Sequence, residues 1–188
     1  MHLHAVLEIV PMATEKTKAA FDIFRKCHPL KELDPAKVDN EDQTRPMTAS
    51  DGLRLWQDGP VNGKSKATGS PPMIEPDQDT MLWVVGRTDV VYAPERSEFS
   101  AGLKSLVIKH SNLTGGKPAF CGGELLQIDE RTVVVNGRSG RYGPKTAGEL
   151  DNIAGCFRAS GYDVWNMGYD EEAGYPRPFV GSEPRWVD

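Results

Sequence analysis

Between His2 and Val10 apolar and polar positions alternate, so that Leu3, Ala5, Leu7 and Ile9 share one face and a β-strand is expected up to Pro11. The period then changes. Across Ala13–Cys27, Ala20, Phe21, Phe24 and Cys27 recur at helical spacing, while Lys16, Lys18, Asp22 and Lys26 fall largely elsewhere. This predicts an amphipathic helix, closed by His28-Pro29. From Pro29 to Asp79 the pattern fades into Pro, Asp, Gly, Ser and Lys, relieved by Leu53, Leu55 and Trp56. A stretch this long without a period is expected either to pack over the core as an excursion or to be partly mobile.

After Thr80 strand signals return. Leu82–Val85 and Val90–Ala93 are β-rich runs separated by Gly86-Arg87-Thr88-Asp89, a hairpin connection. Further strands are expected at Leu103–Lys109, at Ala119–Ile128 (interrupted by Gly122-Gly123) and at Thr132–Val135. Glycines inside a strand suggest a bulge or the close approach of another group. Thr146 and Glu149 fit a capping box, with each side chain serving the other's backbone N–H. Behind them Leu150, Ile153, Ala154 and Phe157 form one apolar stripe, and Gly161 supplies the position beyond the helix end. Tyr162–Met167 reads as a closing strand, and 168–188 as a tail or lid. The chain is thus expected to be a single α+β domain: strand and helix (1–28), irregular segment (29–79), core sheet and helix (80–167), tail (168–188). Hairpins without regular strand–helix alternation predict a mostly antiparallel sheet of five to seven strands under two covering helices.

Composition narrows the class. The chain has 188 residues, 38% of them hydrophobic, and a formal charge of −5. That length suits one sizeable core, and the charge disfavours nucleic acid, which selects basic surfaces. Cys27, Cys121 and Cys156 are scattered without a paired spacing, which argues for reduced thiols and against a disulfide framework or structural metal. No apolar run approaches the roughly 20 residues that span a bilayer, and the N-terminal apolar run lacks a basic flank. The expectation is a protein without membrane segments, cytoplasmic or delivered by a specialised secretion system.

Two motifs fail on inspection. Gly59-Pro60-Val61-Asn62-Gly63-Lys64-Ser65 resembles a phosphate-binding loop, but its glycine spacing is one residue short and no strand or helix flanks it. Asp170-Glu171-Glu172 reads as a solvated acidic run rather than a cation site.

The stretch from His110 to Tyr142 holds more chemistry. His110-Ser111 sits at an expected strand end, where a hydroxyl can work beside a base, although neighbouring strand residues point to opposite faces. Gly115-Gly116 could leave backbone N–H groups free as an anion nest beside Lys117. Glu124 follows Gly122-Gly123 in an otherwise apolar strand; burial there would raise its pKa unless a cation such as Arg141 pairs with it. Asn136-Gly137-Arg138-Ser139-Gly140-Arg141-Tyr142 then delivers two arginine forks suited to phosphate and a tyrosine able to stack on a base. Read blandly, the same residues are a hairpin turn, a surface glutamate and a basic turn.

In this order, over about Leu82 to Gly161, these segments resemble a module of bacterial effectors and polymorphic-toxin C-termini, the Legionella phosphoryl-AMPylase-like family. Its H-S-S-x-x-x-G-x-P-V-A-x-A-G-E run is followed by S-G-H-Y-x-P and a helix. The resemblance implies transfer of AMP from ATP to a protein-linked phosphoryl group. It assigns Ser111 to the family serine, Glu124 to the Glu of the A-G-E run, and Ser139-Gly140-Arg141-Tyr142 to the S-G-H-Y run. The chain departs from the family where Arg141 replaces the usual His and Lys145, not Glu, stands four residues on. A guanidinium cannot act as a base near neutral pH, though it can clamp a phosphate or stabilise developing charge.

The leading expectation is therefore an effector- or toxin-type transferase that modifies a protein. ATP is its favoured donor, NAD (ADP-ribosyl transfer) the alternative, with magnesium as a permitted companion. Gly115, Gly116 and Lys117 would cradle phosphates, with Gly122, Gly123 and Ser139 beside the nucleotide. Arg141 would clamp, Tyr142 would pack the base, and His110 with Glu124 would handle protons. The alternatives are a catalytically silent binding protein whose 29–79 segment docks a partner, and an RNA-cleaving toxin using His110, Arg141 and Tyr142.

Overall fold

Helix α1 (Glu15–Cys27) turns Thr17, Ala20, Phe21 and Phe24 inward, the stripe expected from the sequence. The structure is a computed structural model that describes residues 14–188 apart from Lys64 and Thr68, so the strand expected at His2–Val10 lies outside the described residues. The start of α1 is capped from a distance. Asp58 Oδ1 accepts from the Thr17 N–H and hydroxyl, both at 2.8 Å, and Oδ2 accepts from the Lys16 N–H at 3.2 Å. A carboxylate there satisfies otherwise orphaned donors and faces the positive end of the helix dipole.

The sheet is built from β1 (Arg54–Leu55), β2 (Met81–Val85), β3 (Val90–Pro94), β4 (Cys121–Gln127), β5 (Thr132–Asn136), β6 (Asp163–Asn166) and β9 (Arg185–Trp186), in the order β1-β3-β2-β4-β5-β6-β9. Every pairing is antiparallel except β5–β6. That pair is parallel because the chain crosses over through helix α4 (Ala147–Ala159) between them. A separate hairpin, β7 (Tyr169–Asp170) with β8 (Tyr175–Pro176), follows β6. The α+β architecture and the mostly antiparallel seven-stranded sheet agree with the sequence reading. The last twenty residues are not a loose tail, since they supply this hairpin and the edge strand β9.

Register divides the sheet into two unlike faces. On one, Trp83, Val85, Cys121, Leu125, Val133 and Val135 pack under α1 and α4. Phe157 of α4 stands at the centre, with the rings of Trp56, Trp83 and Phe21 edge-on at 5.0, 5.1 and 5.2 Å. The opposite face carries two separate apolar patches. Leu82, Val84 and Ala93 lie under Met47, Leu103, Ile108, Leu113 and Tyr142, while Leu126, Val134, Trp165 and Met167 form the second. Between the patches the sheet presents Gly122, Glu124 and Asn136.

The 29–79 segment is the packed excursion. It contains short 3-10 turns at Pro35–Lys37, Glu41–Thr44 and Ala49–Asp51, and Trp56 donates its indole N–H to Ser160 Oγ at 3.0 Å. The phosphate-loop look-alike packs on the end of α4, where Gly59 and Val61 donate their N–H groups to the Ser160 and Gly161 carbonyls.

One expected strand is absent. Leu103–Lys109 is a chain of turns after a short helix α2 (Glu98–Ala101), and Leu106 adopts a left-handed φ of 58°. The reason is parity: Leu103 and Ile108 enter the same core, but in an extended chain residues five apart point to opposite faces.

Glu149 does more than cap. The Thr146 hydroxyl accepts from the Glu149 N–H at 3.1 Å, as a capping box requires. The carboxylate, however, accepts from the Lys145 N–H at 2.8 Å and pairs with Lys31 Nζ, both side chains being almost fully buried. Glu149→Ala strands a buried ammonium and is expected to cost about 3–5 kcal/mol. Thr146→Ala, losing only the cap, should cost about 1 kcal/mol. Urea unfolding of both variants checks the contrast; equal losses would contradict it.

Candidate functional site

The band between the two apolar patches opens as a cleft of ≈ 430 Å³. Its wall brings together His110, Glu124, Ser139 and Arg141 of the sequence-derived set, joined by Lys37, Glu95, Lys109, Arg138, Lys145, Tyr169 and Tyr175. Glu124 and Arg141 thus face one cavity on one side of the sheet.

Glu124 projects from β4 opposite Asn136 of β5. Asn136 is fully buried and ties the site together. Its Nδ2 donates to Glu124 Oε2 at 2.8 Å, and its Oδ1 accepts from the N–H groups of Glu124 and Arg138 at 3.1 and 3.0 Å. One amide side chain therefore orients the carboxylate and launches the arginine loop. Burial raises the Glu124 carboxyl above its ordinary value, the Asn136 hydrogen bond works against that, and Glu95 adds to the rise while Arg138 opposes it. The pairing with Arg141 that the sequence left open as the alternative is not made, since Arg141 bonds Lys37 and Gln43.

Arg141 is held by the excursion, its Nη2 donating to the Lys37 carbonyl at 2.8 Å and to Gln43 Oε1 at 2.9 Å. Ser139 Oγ accepts from the N–H groups of Arg141 and Tyr142 at 3.3 and 3.1 Å, which fixes the turn.

His110 opens a short helix, α3 (His110–Thr114), rather than ending a strand. It is buried and its Nε2 lies 2.8 Å from the Gly123 carbonyl, so the neutral ring donates there. Burial pushes its pKa down to about 4, the Gly123 contact works the other way, and the charges of Arg141 and Lys109 push further down. Nδ1 is left as the basic nitrogen of a ring that resists protonation.

The close approach foreseen at the paired glycines is the protein's own. A Cβ at Gly122 would stand 3.1 Å from the His110 ring and 3.4 Å from Ser139 Oγ; one at Gly123 would collide with the Trp83 ring at 2.5 Å.

Other sequence-derived residues lie elsewhere. Ser111 is fully buried and donates its hydroxyl to the Gln43 carbonyl at 2.6 Å, away from the cleft. Being in a helix, it also points away from His110, so no dyad forms. Gly115 and Gly116 end α3 in left-handed conformations, and both N–H groups donate to the Ser111 carbonyl. Their donors close the helix and form no free nest. Lys117 is exposed and donates its N–H to the Thr114 carbonyl. Tyr142 is a core residue whose hydroxyl donates to the Lys117 carbonyl at 2.8 Å beside Thr114. The thiols of Cys121 and Cys156 are each pushed up by burial to about 12, which removes them as nucleophiles.

Sequence reasoning missed Asn136, Glu95, Lys109 and Tyr175. For Asn136 a signal existed: it ends the Val133-Val134-Val135 run as the one polar residue, on the face the alternation gives to Glu124. Among the described residues no helix is long and apolar enough to cross a membrane, and no three His, Cys, Asp or Glu side chains form a metal-holding group. No family model, curated protein or solved structure matches the chain.

A histidine depressed from 6.5 to about 4 supplies stability that is complete above its unfolded pKa and is lost as pH falls through its folded one. Between pH 7 and 4 the native chain should lose up to about 3 kcal/mol from this group, a loss absent in His110→Gln. Glu124, raised in the fold, acts with the opposite sign in both proteins and cancels in their difference. Parallel stability–pH curves for the two would disprove this role.

Proposed function

We propose that the cleft binds the phosphates of a nucleotide donor and that the protein is an effector- or toxin-type transferase acting on another protein. One observation carries the reading. Lys37, Lys109, Arg138, Arg141 and Lys145 border the same cavity as a shielded carboxyl, Glu124, in a chain whose net charge is −5. A cationic cleft in an acidic protein selects anions, and arginine forks suit phosphate.

ATP is the favoured donor, on the resemblance of the ordered motifs to the phosphoryl-AMPylase-like family. An acceptor oxygen attacks the α-phosphorus, the new P–O bond forms, and the bond to the β-phosphate bridge breaks to release pyrophosphate. Glu124, its pKa raised by burial and its carboxylate aimed by Asn136, takes the proton of a hydroxyl acceptor. Arg138 and the lysines neutralise charge developing on the phosphates. A magnesium ion would supply further charge neutralisation; with only Glu95 and Glu124 as cleft carboxylates, phosphate oxygens would provide most of its ligands. His110 stays a neutral structural donor under the carboxylate-bearing strand, and Ser111 is outside the chemistry.

NAD, with ADP-ribosyl transfer, remains the second donor. A catalytically silent binder is favoured by a different observation: Arg141 is already engaged by Lys37 and Gln43, where a clamp would be free. The RNA-cleaving reading relied on Tyr142, which lies in the core.

Incubation with ATP labelled at the α-phosphate, or with labelled NAD, and lysate proteins tests the reading. Label from ATP should appear on protein. Glu124→Gln should cut transfer by about 10²–10⁴-fold while ATP still binds, and Ser111→Ala should leave transfer intact. Retained ATP binding with no label on any protein would favour the silent binder.

A further inference from the structure

We infer that Tyr175 is a stacking platform for the nucleobase of the bound nucleotide, a role that rests on the phosphate-binding reading of the same cleft. Tyr142, which the sequence offered for this task, is sealed in the core, so a base must find another ring. Two tyrosines border the cleft, Tyr169 and Tyr175. Tyr169 is tied down, its hydroxyl donating to the Lys145 carbonyl at 3.0 Å. Tyr175 makes no such bond among the described residues and is 50% exposed.

A single exposed tyrosine is ordinary on a protein surface. Three features set this one apart. It stands on the lip of the cationic cleft. The Arg138 guanidinium lies 5.1 Å from its ring centroid, so the cleft arginine and the ring hold one another in place. Its hairpin is also anchored, because Pro176 is buried against Gly137 and Arg177 bonds back to the Gly168 and Tyr169 carbonyls at 2.9 and 3.0 Å. The ring is therefore presented with little conformational freedom left to lose on binding. Arg138 covers one part of the ring and leaves the rest open to a planar aromatic partner. Arg138 also lines the cleft, so the residue packed on the ring is one of the cations assigned to the phosphates. Stacking of this kind is tolerant of base identity, since every base has a π-face.

Titration calorimetry of the full chain with ATP and with inorganic tripolyphosphate separates the two subsites. The native protein should bind ATP about tenfold more tightly than tripolyphosphate, the gain of one stacked base. Tyr175→Ala should lose about that factor for ATP and keep tripolyphosphate affinity, and Tyr175→Phe should restore ATP binding. Equal native affinities for the two ligands, or equal losses in Tyr175→Ala, would overturn the stacking role and leave the phosphate site standing. Failure of the native chain to bind either ligand would overturn both.

Discussion

Two adjacent peptide units without side chains set the geometry of this protein. Strand β4 carries hydrogen atoms where its neighbours carry side chains, at Gly122 on one face and Gly123 on the other. On the first face the imidazole of His110 and the hydroxyl of Ser139 settle against the strand; on the second the Trp83 indole does the same. Trp83 in turn meets Phe157, the centre of the aromatic cluster under α4. A side chain at either position would push the helix layer off one face or the site loops off the other. Because the two requirements sit on consecutive residues, packing of the core and seating of the cleft are coupled through one stretch of backbone.

The cleft exists because the opposite face is covered in two pieces. The excursion with α3 closes one patch, and β9 with the C-terminal segment closes the other. The polar residues between them come from separated stretches: Lys37 from the excursion, Lys109 before α3, Glu124 from β4, Arg138 and Arg141 from the loop after β5. Assembling cations from several loops inverts the sign of the whole molecule locally. A field of this kind, bounded by low-dielectric walls, concentrates anions at the cleft mouth.

What the sequence made legible follows from where periodicity is strong. The β2–β3 hairpin, α1, β5 and α4 were readable because each carries an uninterrupted apolar pattern of one period. Leu103–Lys109 was misread because its apolar residues serve a turn whose buried pair has the wrong parity for a strand. The site was half legible. Glu124 stood out as a lone carboxylate beside glycines, and Arg141 as a fork in a glycine loop. Ser111, Gly115, Gly116 and Tyr142 look reactive in sequence, yet their polar atoms are consumed by Gln43, the α3 terminus and Thr114. Side-chain composition does not reveal which donors the backbone will claim. The Glu149–Lys31 pair was hidden for a related reason, since its partners lie more than a hundred residues apart.

The arginine at position 141 gains its meaning from the excursion. A guanidinium can neither accept nor shuttle a proton near neutral pH. It can span a gap. Its two bonds, to the Lys37 carbonyl and to Gln43 Oε1, tie the 29–79 segment to the loop that carries Arg138. Gln43 is itself held, because its carbonyl takes the Ser111 hydroxyl and its side chain accepts the Asp39 N–H at 3.1 Å. The serine and the arginine that the motif order brings to notice are thus linked through one glutamine into a brace beside the cleft. Among the cleft side chains the carboxyl that burial shifts upward is Glu124, held in place by Asn136.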